Sequence, residues 1–324
     1  KALTILLMAL LIFPVLSPDA RALPADQEGF QTQTIMVYII GSDLESDGGM
    51  GTSDIREMLK AKPDKNRLNV LVMTGGTNKW QSGAIPADRL SVYKIEGLNP
   101  KPVQAWEKGS MGEPAALTRF LDFARENYPA ESYGLILWDH GGGPMVGFGM
   151  DTAYKGDGLT LPELREALEQ SAFKGDDKLE WLAFDACLMA SLEVAALLSP
   201  YARYMIASQE ALPGYGFDYA FLKSLSSSGL TGTEAGRAII DHTYAYYEAL
   251  SQKNPEFQMP VTLSLTDLGQ AAPVQEKLDG LFSNLDLGLQ AGIYSDIARS
   301  RDKTKDYGRT TTTNAYDLID LLDF

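Results

Sequence analysis

The chain has 324 residues, 45% of them hydrophobic and 22% charged, with a formal net charge of −15 and a single cysteine. So acidic a surface repels phosphate backbones and anionic lipid, which removes nucleic acid and membrane surfaces from the expected partners. One cysteine excludes an internal disulfide, so the chain must be held by a packed core, and its length is sufficient for one.

Residues 1–22 hold Lys1, an apolar stretch over 2–13, Pro14 and the small-x-small run Ala20-Arg21-Ala22. They read as a secretory signal, too short to be a membrane span, so the expected location is outside the cytoplasm, in periplasm or medium. Residues 23–33 are a polar leader. The stretch 34–40 (TIMVYII) is nearly continuously apolar and β-branched, which predicts a strand buried on both faces. Further strands are predicted at 68–73, 90–95, 133–138, 179–184, 203–207 and 261–265. Helices are predicted at 53–61 with Thr52 or Ser53 as cap, at 114–127, at 161–171 with a cap and an early proline, at 233–251 and at 273–289. Between 68–73 and 90–95 the run TGGTNKWQSGAIPADR predicts a long loop rather than a crossover helix. Elsewhere strands and helices alternate, so the expected class is α/β, a mainly parallel central sheet with helices on both faces. The main domain is placed at 34–270. A helical C-terminal extension follows at 271–324, ending in an amphipathic pattern over 315–324 that leaves open whether the chain continues.

His140, one of two histidines, and Cys187 each stand directly behind a predicted buried strand, in YGLILWDHGGG and LEWLAFDACLMA. Open α/β sheets present their chemistry at the carboxyl edge of the strands, so the pair predicts a thiol nucleophile with an imidazole base. A lone cysteine is ordinarily a small buried hydrophobe. Cys187 differs in lying past a strand end and near a helix expected to begin around 188–191, whose N-terminus would lower the thiol pKa. Glycines after His140 let a substrate carbonyl approach the backbone, and amides around Gly141 are placed to bind an oxyanion. Lipases and esterases use a similar HGGG string, but they need a G-x-S-x-G elbow, which this chain lacks. Asp139 is read as orienting its loop, and the dyad chemistry requires no third acid.

Asp43, Glu45, Asp47 and Asp54, with Gly48, approach the spacing of a calcium loop. They follow a strand rather than a helix, however, and the third and twelfth positions deviate. The plainer reading is an acidic approach to the helix at 53–61, favoured by its dipole. His242, on the helix predicted at 233–251, has no accompanying ligand set and reads as structural, so zinc is not expected.

The segments LILWDHGGG and WLAFDACLMAS are joined by GFGMDTAYKGDGLTLPELREAL and flanked by TIMVYIIGSDLE and ASQEALPGYGFDY. Together, from about Thr34 to Tyr219, they resemble the clostripain family of cysteine peptidases, peptidase family C11. The resemblance implies a caspase-like three-layer α/β sandwich and an exported cysteine endopeptidase acting on proteins or peptides. By position, it makes Cys187 the nucleophile, His140 the base, and the amides of Gly141 and Cys187 the oxyanion hole. Thiolate attack, an acyl-enzyme and hydrolysis by an activated water then follow, with no cofactor required for the chemistry. It also implies cleavage after Arg or Lys, with Asp185 matching an acid of the substrate pocket. Where basic-specific relatives read P-G-D-G-W, this chain has Pro213-Gly214-Tyr215-Gly216-Phe217, so Tyr215 replaces a second pocket acid and leaves Asp218 as substitute. Self-cleavage between the two catalytic segments is implied as well, with Lys155-Gly156 as the site. Some relatives depend on calcium, which keeps calcium open as a cofactor. The alternatives are a peptidase of non-basic specificity and a silent binding protein on the same scaffold; retention of both His140 and Cys187 argues against the latter.

Overall fold

A continuous run of apolar residues is stable only where a sheet covers it on both faces, and β1 (Gln33–Ile40) is buried along its whole length. The computed structural model describes residues 32–226, 231–254, 256, 261–290, 292–308 and 318–323. After β1 come α1 (Ser42–Ser46), α2 (Met50–Ala61), β2 (Leu68–Gly75), β3 (Arg89–Glu96), β4 (Asn99–Glu107), α3 (Pro114–Asn127) and β5 (Ser132–Trp138). Next are α4 (Gly143–Val146), β6 (Phe148–Asp151), β7 (Asp157–Leu159), α5 (Leu161–Gln170), β8 (Leu179–Asp185), α6 (Leu192–Leu198) and β9 (Ala202–Ser208). The chain continues through α7 (Phe221–Leu225), α8 (Gly232–Lys253), β10 (Leu263–Asp267), α9 (Ala271–Gln290), α10 (Tyr294–Lys303), β11 (Asp306–Tyr307) and β12 (Leu318–Ile319).

The main sheet has eight strands in the order β10-β9-β8-β5-β1-β2-β3-β4. The five central ones, β9, β8, β5, β1 and β2, run parallel; β10, β3 and β4 join antiparallel at the two sides. Alternation along β1 divides the core. Met36, Tyr38 and Ile40 pack with Phe120 of α3, Leu164 of α5 and Leu198 of α6. Ile35, Val37 and Ile39 pack with Met58 of α2, Leu222 of α7 and Ile239 of α8. Each such side chain contributes about 1.5–3 kcal/mol by leaving water, and helices on both faces make three layers, as expected.

All seven expected strands are present. The signal read at 1–22 lies outside the described residues, as does most of the leader; Gln33, assigned to that leader, instead opens β1 and donates from Nε2 to Ser132 Oγ at 2.9 Å. Strand β4 was not expected. Its two prolines and two exposed ends hide the pattern, and as an edge strand it tolerates residues that cannot donate to a ladder. Helix α2 starts at Met50 on a left-handed Gly49 (φ 65°) with no side-chain cap, because the Thr52 hydroxyl donates to Glu45 Oε1 at 2.6 Å. By contrast α5 has the expected cap, a reciprocal Thr160/Glu163 box with proline in the first turn.

The C-terminal part departs most from expectation. Helix α9 forms, but it lies against α6 and leaves Phe282 and Leu287 exposed, so its apolar stripe is not packed on the sheet. Within 315–324 the described residues form β12 and a turn, not a helix: Leu318 pairs with Tyr307 and Ile319 with Asp306. Among the described residues no helix is long and apolar enough to cross a membrane.

Gly134 of β5 lies beneath the Trp181 indole of β8, where an added Cβ would sit 2.2 Å from the ring. Gly134→Ala is therefore expected to cost about 1–3 kcal/mol through overpacking, read as a lower urea midpoint with unchanged slope. An unchanged midpoint would show that Trp181 does not lock these two strands together.

Candidate active site

Strands β1, β5 and β8 are adjacent and parallel, with Ile39 level with Trp138 and Trp138 level with Asp185. Their three following loops therefore leave the same edge. The chain goes from β1 to β2 on one side and later returns to β5 on the other, so the order reverses between β1 and β5, the place where open α/β sheets leave a crevice for ligands. The loop after β1 carries Ser42 and Asp43, that after β5 carries Asp139, His140 and Gly141, and that after β8 carries Cys187.

The histidine and cysteine loops touch. A Cβ on Gly141 would lie 2.2 Å from the Cys187 carbonyl oxygen, so only glycine lets them pass. His140, Gly141 and Cys187 line one cavity of about 500 Å³, together with Asp43, Met150 and Glu210. The His140 loop is tied down by Gly142 N–H to Gly147 O and Gly149 N–H to His140 O, both 2.9 Å. These bonds flank the Gly141–Phe148 bridge, and the Gly141 N–H takes no part in them. Leu188 follows the cysteine at φ 63°, a left-handed conformation that is strained for a leucine and is found chiefly at functional turns.

Cys187 differs from expectation in its electrostatics. Helix α6 begins at Leu192 on a Ser191 cap, several residues past the thiol, so the helix N-terminus is not beside it. The sulfur instead accepts from Leu212 N–H at 3.2 Å and donates to Leu212 O at 3.4 Å. Burial pushes the Cys187 thiol above its ordinary value, the Leu212 N–H opposes that, and Asp185 and Glu210 add to the rise. The Cys187 thiol is thereby biased toward its protonated form.

On the imidazole side, His140 Nε2 lies 2.8 Å from Asp43 Oδ1. Partial burial pushes the Asp43 carboxyl up, but the hydrogen bond and charge of His140 outweigh this and hold it below the ordinary carboxylate range. This contact was not legible in the sequence, which placed Asp43 among calcium candidates; its only signal was an acid just past the first buried strand. Asp139, expected to orient the loop, is buried and accepts from Ser42 Oγ at 2.6 Å and Met150 N–H at 2.5 Å. Burial raises its carboxyl to about 7 against the pull of Ser42 and His140.

The expected substrate-pocket residues sit apart from that cavity. Asp185 is buried and accepts from Phe217 N–H and from the Tyr219 hydroxyl, each at 3.0 Å. Burial raises its carboxyl to about 7; the Phe217 and Tyr219 bonds oppose the shift and Glu57 adds to it. Gly216, at φ 62°, packs so closely on it that a Cβ would lie 2.7 Å from Asp185 Oδ1. Tyr215 is exposed, its ring meeting that of Tyr246 edge-on at 6.4 Å. Asp218 accepts from Ala220 N–H at 3.0 Å and faces His242 Nδ1 at 3.7 Å, while His242 Nε2 bonds Ser224 Oγ at 2.7 Å. Lys155 sits at the exposed tip of the β6–β7 hairpin in the left-handed region (φ 62°), and the next residue, Gly156, lines the His140–Cys187 cavity.

The four carboxylates read as a calcium loop have separate partners. Glu45 is buried and accepts from Thr52 N–H at 2.8 Å, from the Thr52 hydroxyl at 2.6 Å and from Gln81 N–H at 2.6 Å. Asp54 accepts from Trp138 Nε1 at 2.6 Å, Asp47 from Ser46 Oγ at 3.0 Å, and Asp43 binds His140. Among the described residues no three histidines, cysteines or acids are grouped to hold an ion. With both Glu45 oxygens taken, this donor set does not fit a calcium ion.

A model of the clostripain family, peptidase family C11, matches residues 37–324. Clostripain of Hathewaya histolytica is 26% identical over 351 aligned positions, covering 90% of this chain; the chain spans 65% of that relative's length. Among solved structures, a secreted C11 cysteine protease from Bacteroides thetaiotaomicron, bound to an irreversible peptide inhibitor, superposes with a TM-score of 0.62 at 22% identity, over 75% of this chain and 68% of that one. An inactive zymogen C11 protease from Parabacteroides distasonis gives 0.57 at 20% identity, over 76% and 64%. These likenesses identify the three-layer arrangement as the caspase-like one.

Because the thiol is pushed up, iodoacetamide should alkylate it more slowly at neutral pH than free cysteine. The rate should climb to a midpoint above about 8.5, the ordinary thiol value. Cys187 is the chain's only cysteine, so intact mass reads it directly. A midpoint below the ordinary value would show a preformed thiolate instead.

Proposed function

The chain belongs to the clostripain family, and we propose that it is an exported cysteine endopeptidase with Cys187 as nucleophile and His140 as base. The carrying observation is that both residues leave neighbouring parallel strands at one edge, on loops that touch at Gly141, and open into one cavity. As Sγ attacks the peptide carbonyl carbon, His140 takes the thiol proton; the amides of Gly141 and Cys187 receive the oxyanion. The imidazolium then protonates the leaving amine, and the acyl-enzyme is hydrolysed by a water that His140 deprotonates. The raised thiol makes proton transfer part of the attack rather than a standing ion pair. Export rests on the reading of residues 1–22, and the substrates are proteins or peptides.

For the residue before the scissile bond we propose Arg or Lys. Asp185, Asp54 and Glu57 all have carboxyls raised by burial first; Glu57 adds to the rise at Asp185, Asp185 and Glu57 add to it at Asp54, and Asp218 adds to it at Glu57, so a guanidinium or ammonium would relieve the repulsion within this acidic group. A specific observation favours the second reading, a non-basic preference: the Asp185 oxygens are already satisfied by Phe217 and Tyr219. Self-cleavage at Lys155-Gly156 is supported by an exposed basic residue whose neighbour already lines the cavity.

A panel of fluorogenic peptides ending in Arg, Lys, Asp or an apolar residue decides between them. Turnover of the Arg and Lys peptides is expected, with the preference strengthening as pH rises through about 7 and Asp185 ionises. Turnover confined to the other peptides would establish the non-basic reading. His140→Ala is expected to lower kcat by about 10²–10⁴-fold and Cys187→Ala to abolish turnover; activity surviving both would refute the dyad. Intact mass after expression should show a cut after Lys155 in the parent protein and none in Cys187→Ala. The same cut in both would assign it to another protease.

A further inference from the structure

We propose that Asp43 is a positioning residue of the dyad: it fixes the His140 imidazole as the Nε2–H tautomer and so makes Nδ1 the atom that takes the thiol proton. This rests on the peptidase reading above. An ionised carboxylate only accepts hydrogen bonds, so at 2.8 Å from Asp43 Oδ1 the Nε2 atom must be the donor. In a neutral ring the lone pair then lies on Nδ1. When Sγ attacks, the S–H bond breaks, the proton joins Nδ1, and the electron pair left on sulfur forms the bond to the carbonyl carbon; Nε2 keeps its proton on Asp43 throughout. The imidazolium formed has a carboxylate already opposite it.

The backbone that presents Asp43 is built to hold it there. Ser42 is fully buried at φ 47°, a conformation costly for any residue with a side chain. Its hydroxyl donates to Asp139 Oδ1 at 2.6 Å. Two successive residues after β1, Ser42 and Asp43, thus clasp two successive residues after β5, Asp139 and His140. The clasp is anchored below by Gly41 N–H to Gly75 O at 2.9 Å and Ser42 N–H to Gly76 O at 3.1 Å. Glu45, one turn on, is fixed by Thr52 and Gln81. The ionisable groups around the ring are Asp43 from α1, Asp139 beside it on its own loop, and Cys187 and Glu210 across the cavity.

The test uses Asp43→Asn, Asp43→Ala and Asp43→Glu on whichever peptide the parent protein cleaves, with melting temperatures to confirm folding. Since the Asp43 side chain is 49% exposed, water shares its role. The expected loss is about 10- to 100-fold in kcat for Asn and Ala, with KM within about 2-fold and partial recovery in Glu. ¹⁵N spectra of Cys187→Ala with the imidazole neutral should show His140 protonated at Nε2 and turn to a tautomer mixture when Asp43→Asn is added; a merely structural role would leave the tautomer in place. His242→Gln assigns the signals. An unchanged kcat in both Asn and Ala, or a parent ring protonated at Nδ1, would overturn the role of Asp43. If the parent cleaves no peptide, the peptidase reading fails and the ¹⁵N result alone decides Asp43.

Discussion

Parallel pairing of β1, β5 and β8 is the constraint from which the site follows. Because strands in such a sheet all end on one side, residues 97 positions apart, such as Asp43 and His140, meet without any long side chain reaching for them. Level registers from Ile39 through Trp138 to Asp185 set the loop heights, and the absent side chain of Gly141 sets how close the loops come. The stability of the core and the placement of the chemistry are one problem here, since the apolar strands that bury on both faces also aim the loops.

Burial at this edge has an electrostatic consequence. Cys187, Asp139 and Asp185 are each shifted first by desolvation, and each is offset by a hydrogen bond: Leu212 N–H, the Ser42 hydroxyl and the Phe217 N–H respectively. The edge therefore favours the protonated forms of a thiol and two carboxyls more than water does. Asp43 is the exception. It is half-exposed, and the hydrogen bond and charge of its imidazole partner together outweigh burial, so an acid biased toward its charged form shares one cavity with a thiol biased toward its neutral form.

Much of the fold was legible because strand identity is written in local composition: TIMVYII and GLILW have no stable place outside a doubly covered sheet. His140 and Cys187 were legible because scarce residues fell directly after such runs. Strand β4 was hidden by prolines that matter only to a strand's neighbours. The end of the chain was misread because an amphipathic pattern reports a face, not the partner that would cover it. Thr52 was misread as a helix cap because its hydroxyl had a stronger acceptor, the buried Glu45, which sequence spacing does not reveal. The helix expected beside Cys187 starts later, behind a Ser191 cap, and the sign of the thiol shift changed with it.

Sequence alone determined the sheet-forming segments, the loops that follow them and the two scarce residues, His140 and Cys187, that those loops carry, because each depends on residue type and near neighbours. Tertiary structure decided everything that depends on long-range contact. It took Asp43 from a supposed ion loop to His140, gave Asp139 the partners Ser42 and Met150 on its loop, and enclosed Asp185 beneath Phe217 and Tyr219. The reason is physical: a carboxylate's role is set by which donor reaches it and how much water is left around it, and neither is a property of its place in the chain.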